Sequence, residues 1–194
     1  MKRIMMMAIA SICFFTASAQ TEKGRFALSG NTDMSLMFAK TSIAVMDSTG
    51  DGKQNSRAFN ANAGFAYFVA NDLAVGITGS FQYTKMDADN AIGYLQNYTA
   101  GIIPSVTYFF PLKWNLKSNV SVGAGYAWYF ASDLDAEGLS LNVAPGISWF
   151  VNRDISLDLG VQYTYSNLKT TSDLSGLTYR QQALGLLAGL SIYF

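Results

Sequence analysis

The sequence contains no histidine, one cysteine and three prolines, and only 13% of its 194 residues are charged. A soluble domain carries about 25% charged residues, so the shortage of charge is itself a signal. The missing histidine removes the histidine-dependent triads and the commoner zinc sites. Neither sign of charge dominates, with 13 basic and 13 acidic residues. The electrostatic footprint of a nucleic-acid binder is therefore lacking, and no nucleic-acid partner is expected. After the first nineteen residues there is no run of the roughly 18 apolar residues that a membrane helix needs. Yet half of the residues are hydrophobic, so they must be arranged on faces rather than in runs.

The N-terminus has the organisation of a secretory signal. Lys2 and Arg3 precede an apolar stretch from Ile4 to Phe15, and the small-residue site Ala17-Ser18-Ala19 precedes Gln20. Residues 1–19 are expected to be a signal peptide cut after Ala19, with Ala17 and Ala19 as its recognition residues, and 20–194 to be one domain. Cys13 lies inside the signal behind the bulky Ile12, where a lipoprotein site has a small residue, so lipidation is not expected.

The mature chain alternates with period two. From Arg25 to Phe38 the even positions include Phe26, Leu28, Met34, Leu36 and Phe38, whereas the odd ones include Arg25, Ser29, Asn31, Asp33 and Ser35. This is a strand pattern. It recurs to give eight expected strands, near 25–38, 59–69, 73–83, 98–110, 115–130, 139–151, 155–165 and 180–194. Tight connections at Asn71-Asp72, 111–114 and 152–154 alternate with longer ones at 39–57, 84–97, 131–138 and 166–179. Three of the tight turns repeat one design, "GFAYFVANDLAVG", "PSVTYFFPLKWNLKSN" and "PGISWFVNRDISLDLG", as in a meander of antiparallel hairpins.

Alternation does not say which face is inside, because a soluble sandwich has the same period. The composition of the second face decides. It consists of Gly, Ala, Ser, Thr and Asn, with Arg25, Asp33, Lys117 and Asp158 as the main charges within strands, whereas a water-facing surface is rich in Lys and Glu. Small, mildly polar side chains suit the interior of a narrow barrel with the apolar face turned to lipid. Hydrocarbon also demands closure, since each unpaired backbone group at an open edge costs several kcal/mol. The segment "LGLLAGLSIYF" is then the closing strand. Aromatics gather at both expected margins: Phe26, Tyr108, Phe110, Trp114, Trp149 and Phe194 at the turn side, and Phe38, Phe59, Tyr98, Trp128, Phe130 and Tyr165 at the loop side.

With a signal peptide, eight alternating strands and the terminal "LSIYF", the chain resembles the small outer-membrane β-barrels of Gram-negative bacteria grouped with the OmpA transmembrane domain and OmpX. The resemblance covers about residues 24 to 194. It implies an all-β, eight-stranded antiparallel up-and-down transmembrane barrel in the cell outer membrane. Its expected partners are outer-membrane lipid, lipopolysaccharide and the barrel-insertion machinery, which would read Leu190, Ile192 and Phe194 as a C-terminal signal. The peptidoglycan-binding domain of full-length OmpA relatives has no counterpart after Phe194, so that function is not carried over.

Several site readings follow. The strand charges are expected to form a lumen network in which Asp158, and Asp33 with it, pairs with Arg25 or Lys117 and plugs the barrel. In "DSTGDGKQN", residues Asp47, Thr49, Asp51 and Gly52 occupy the first, third, fifth and sixth positions of an EF-hand loop. Position twelve is Ala58 instead of the bidentate glutamate. A solvated, turn-rich loop without metal is expected there. The acidic "SDLDAEG" from Ser132 suits either a solvated loop or cations bridging lipopolysaccharide. No cofactor and no enzymatic constellation is expected. The functional expectation is a monomeric, non-enzymatic barrel with a plugged polar lumen, serving envelope structure or contact with an unidentified extracellular partner through four loops. Two alternatives stay open: a narrow or gated porin-like channel or transporter for small solutes, and a secreted soluble β-barrel ligand binder.

Overall fold

A computed structural model of the chain describes residues 21–33, 40–45, 48–52, 56–86, 95–113, 115–131, 134–170 and 178–194. Side-chain surroundings refer to 21–31, 61–83, 97–113, 115–130, 135–170 and 180–194. The described residues form ten strand segments, β1 (Phe26–Asp33), β2 (Lys40–Val45), β3 (Ser48–Gly52), β4 (Ser56–Ala70), β5 (Leu73–Met86), β6 (Leu95–Pro111), β7 (Leu116–Ala131), β8 (Leu134–Phe150), β9 (Ile155–Thr170) and β10 (Thr178–Tyr193). All pairings are antiparallel, in the order β1-β4-β5-β6-β7-β8-β9-β10, and β1 pairs with β10 to close the ring.

The ten segments make eight barrel strands. β2 lies on β10 beyond β1, starting at Lys40↔Gln182. β3 lies on β2 in the register that β4 keeps with β1: Asp33↔Asn60 in one pair and Thr41↔Gly52 in the other, equally far along each strand. The first hairpin thus continues its ladder well beyond the expected strand end. The expected turn-rich loop is corrected here, because Thr49, Asp51 and Gly52 belong to β3.

The other loop-side hairpins are also longer than expected. β7 and β8 pair as far as Ala131↔Leu134, so Leu134–Gly138 of the acidic segment is strand. β8 and β9 pair as far as Ala136↔Thr170. The reason is physical. Apolar alternation exists only where one face meets hydrocarbon, whereas the ladder itself continues through strands that have water on the outside.

The outward face carries the expected apolar band. Leu28, Phe65, Ile77, Ile102, Val122, Leu159 and Leu186 all point outward and are exposed. Along single strands the band runs over Leu139–Trp149, Leu157–Tyr165 and Leu184–Phe194, matching the roughly 9–11 residues of a tilted transmembrane strand. Charges begin just above it, at Glu137, Lys169 and Arg180, with Glu137 directly opposite Lys169.

Pro104 and Pro145 sit within the band and face outward. Proline lacks the N–H for a ladder bond. The β6–β7 pairing accordingly skips from Ile102↔Tyr126 to Ser105↔Gly123, and β8–β9 skips from Val143↔Tyr163 to Gly146↔Gly160. Glycine lines both gaps. A Cβ on Gly125 would lie 2.1 Å from the Ile102 carbonyl oxygen, and one on Gly160 would lie 2.8 Å from that of Pro145.

Candidate functional site

The lumen is built by the alternate face of every strand. Asn62, Thr78, Ser105, Thr107, Asn119 and Ser121 are among its wall residues. Many satisfy one another: Thr107 Oγ1 donates to Ser121 Oγ at 3.0 Å, Asn119 Nδ2 donates to Ser148 Oγ at 2.9 Å, and Ser140 and Ser166 share a hydrogen bond of 3.0 Å. Such pairs meet the requirement that buried polar groups find partners.

The charges do not meet as expected. Arg25 Nη2 contacts Asp154 Oδ1 at 2.6 Å and the Tyr193 carbonyl oxygen at 2.8 Å, and Nη1 reaches the Arg153 carbonyl at 3.2 Å. Lys117 Nζ contacts Asp72 Oδ1 at 2.7 Å and also the Thr21 hydroxyl, which itself donates to Asp72. Both cations are thus held by carboxylates of the tight turns. Asp158 accepts instead from Ser156 Oγ (Oδ1, 2.9 Å) and Ser191 Oγ (Oδ2, 2.5 Å). The expected pairing of Asp158 with Arg25 or Lys117 is replaced by these contacts. Parity places all these groups on one face but says nothing of their height. Arg25 and Lys117 stand at the mouth, level with the turns, where a partly solvated pair loses less hydration than in the lumen centre. The side chain of Asp33 lies outside the described residues, although its backbone pairs with Asn60 and Leu187. Ala17 and Ala19 also lie outside them.

Above the mouth the lumen is floored by aromatic rings. Phe68, Phe109, Phe150 and Tyr193 point inward and are buried together with Ala27 and Ala74. Ring centroids lie 5.7 Å apart for Phe68–Phe109, 6.1 Å for Phe68–Tyr193 and 5.1 Å for Phe150–Tyr193. Each ring comes from the turn-side end of a different strand, β4, β6, β8 and β10, so the four converge on the barrel axis. The Tyr193 hydroxyl lies 3.3 Å from Ser156 Oγ, tying the floor to the wall. Sequence reading took the repeated aromatic pairs as hairpin markers and margin residues and missed this inward half. The signal was present, since residues 68, 109 and 150 are all phenylalanine at equal intervals of 41.

The chain's first described residues close the mouth below the floor. Thr21 is buried, its carbonyl accepts from the Asp72 N–H at 2.8 Å, and the Gly24 N–H donates to the Phe68 carbonyl at 2.9 Å. Above the floor lies a polar chamber of about 170 Å³. A second of about 70 Å³ continues from it toward the loop side, sharing Asn62, Ser80, Ile103 and Gln162 in its wall. On the loop side, Ala127, Tyr129, Ala136 and Leu168 form a smaller apolar cluster on the wall of β7, β8 and β9.

The C-terminal residues Leu190, Ile192 and Phe194 all face outward, Phe194 being 61% exposed. Phe26, Tyr108, Phe110 and Trp149 form the turn-side margin with it, and Tyr98 and Phe130 are exposed at the loop side.

No protein-family profile and no curated protein matches the chain. Solved structures do. The outer membrane protein OprG from Pseudomonas aeruginosa is 12% identical, with a TM-score of 0.59 over 91% of this chain and 98% of that one. The outer membrane protein AlkL, determined in lipid bilayers, is 18% identical, with a TM-score of 0.61 over 91% of this chain and 93% of that one. Neisserial surface protein A is 19% identical, with a TM-score of 0.56 over 89% and 100%. At these identities the likeness is one of fold: an all-β ring of eight antiparallel strands shared with transmembrane barrels of the outer membrane.

Proposed function

We propose that this chain is an integral outer-membrane β-barrel of a Gram-negative envelope whose lumen is closed at the turn end. It acts without enzymatic chemistry, as an envelope component and as a scaffold for surface contact through its loop-side hairpins. The turn end would face the periplasm, with lipid and lipopolysaccharide around the apolar band and the insertion machinery reading Leu190, Ile192 and Phe194. The barrel would act as a monomer.

The observation that carries the closed-lumen reading is the aromatic floor. Phe68, Phe109, Phe150 and Tyr193 fill the cross-section with rings in mutual contact, and an eight-stranded barrel has an interior that such side chains can fill. The paired mouth charges reinforce it, because Lys117–Asp72 and Arg25–Asp154 join the turns beneath the rings.

The polar chamber above the floor favours a second reading, a narrow channel for small solutes in which the floor opens. Planar-bilayer recordings of the mature chain separate the two. A closed floor gives no steady conductance in the wild type and measurable conductance in the double variant Phe109→Ala/Phe150→Ala. Steady conductance of the wild type would favour the channel.

A further inference from the structure

The chamber above the floor holds a charge that no described residue of its wall offsets. Among the described residues that line it, Asp158 is the only charged one. Its two oxygens accept from Ser156 and Ser191, which orients and stabilises the carboxylate but leaves its net charge in place. Arg25 and Lys117 stand at the mouth and hold Asp154 and Asp72. A charge withdrawn from bulk water is costly unless a counter-charge accompanies it.

The carboxylate and the two serines that hold it ask for a positive charge. They do not make a site for a hard divalent metal, which takes about 6–8 oxygen ligands, several of them carboxylate. Among the described residues no three acidic, histidine or cysteine side chains converge. The lower wall mixes polar groups, among them Thr107, Asn119, Ser121 and Ser148, with alkyl surface from Ala27, Ala66, Ala74 and Leu187, and Phe68, Phe109 and Tyr193 lie beneath. Aromatic rings and hydrocarbon close to one carboxylate suit an organic cation, whose head is drawn to the carboxylate and ring faces while its carbon chain lies on alkyl surface.

We propose that the lumen chamber is a binding site for small alkylammonium-type cations, with the ammonium group on Asp158 and the hydrocarbon part against the alanine-lined and aromatic floor. The site goes beyond the closed-lumen reading and does not depend on it. A floor that opened would alter conductance without removing the carboxylate.

The test uses the full mature chain in lipid nanodiscs, followed by backbone amide NMR during titration with n-butylammonium chloride, n-butanol or potassium chloride. The expected result is a saturable shift with n-butylammonium, centred on Ser156 to Leu159, Ser191 and Tyr193. Affinity for potassium should be at least tenfold weaker, and n-butanol should not saturate. Asp158→Asn should weaken n-butylammonium binding at least tenfold, and Glu22→Gln, at an exposed position below the barrel, should leave it unchanged. Equal binding of potassium or butanol, absence of saturable shifts, or full affinity in a folded Asp158→Asn barrel would each overturn the proposal. If Asp158→Asn does not fold, the three wild-type titrations decide by themselves.

Discussion

Phe26 and Phe194 exchange both of their backbone hydrogen bonds: the Phe26 N–H donates to the Phe194 carbonyl at 2.8 Å, and the Phe194 N–H donates to the Phe26 carbonyl at 3.0 Å. Their rings stack on the outside with centroids 6.1 Å apart. The last residue of the chain is thereby the residue that completes the ring. The ladder continues inward from it through Ala27↔Tyr193 to Asp33↔Leu187, leaving no edge between these strands for lipid to meet.

Deleting Phe194 should therefore impair closure more than replacing its side chain. Phe194→Ala keeps both backbone bonds and loses ring packing, which is worth about 1 kcal/mol for an aromatic pair. The deletion strands backbone groups at the margin as well. Urea unfolding in lipid vesicles should give a small loss for the substitution and a larger one for the deletion. Equal losses would show that the backbone exchange contributes little.

Removing a floor ring should cost stability as well as the seal. Phe150 is fully buried, and Phe→Ala in a packed core costs about 3–5 kcal/mol. Phe150→Ala should lower the unfolding free energy by that order in the same assay. The outward Trp149→Ala, at the lipid margin next to it, should cost less.

The two mouth pairs should differ in strength. The Asp154 side chain is 63% exposed and that of Asp72 is 25% exposed. An exposed pair contributes about 0–1 kcal/mol, so Asp154→Asn should have little effect. Asp72→Asn should cost more, because Lys117 and buried Thr21 share that carboxylate. A double-mutant cycle of Asp72→Asn with Lys117→Met should show a larger coupling than Asp154→Asn with Arg25→Met.

Gly125 should not accept a side chain. A Cβ there would meet backbone on the neighbouring strand at 2.1 Å, and overpacking typically costs about 1–3 kcal/mol. Gly125→Ala should destabilise the barrel by that order in thermal unfolding. Gly30→Ala, with nothing within 4 Å of the added carbon, should be close to neutral.

The sequence made some of this legible and concealed the rest for physical reasons. Alternation located the lipid-embedded part of each strand, as at β9, where it ends near Tyr165 while the ladder reaches Thr170. It faded there because the outward face becomes polar, at Asn167 and Lys169, while Leu168 packs inside. The floor was readable in the spacing of Phe68, Phe109 and Phe150, but Tyr108 and Trp149 beside two of them belong to the turn-side margin, which accounts for aromatics there without an inward ring. Charge partners were the least legible. Period two gives the face of Arg25, Lys117 and Asp158, whereas their distances depend on strand tilt and on turn residues such as Asp72, whose backbone adopts φ 63°.

The central claim is that the apolar face points out and the polar face in. The only cysteine is Cys13 in the expected signal peptide, so single cysteines can be placed one at a time along β9 from Leu157 to Tyr163 without background. Each is labelled with an environment-sensitive fluorophore in vesicles containing a lipid-tail quencher. The account predicts strong quenching at 157, 159, 161 and 163 and weak quenching at 158, 160 and 162. The opposite phase, or uniform labelling without quenching in a chain that stays in solution, would contradict it and place the apolar face in a soluble core.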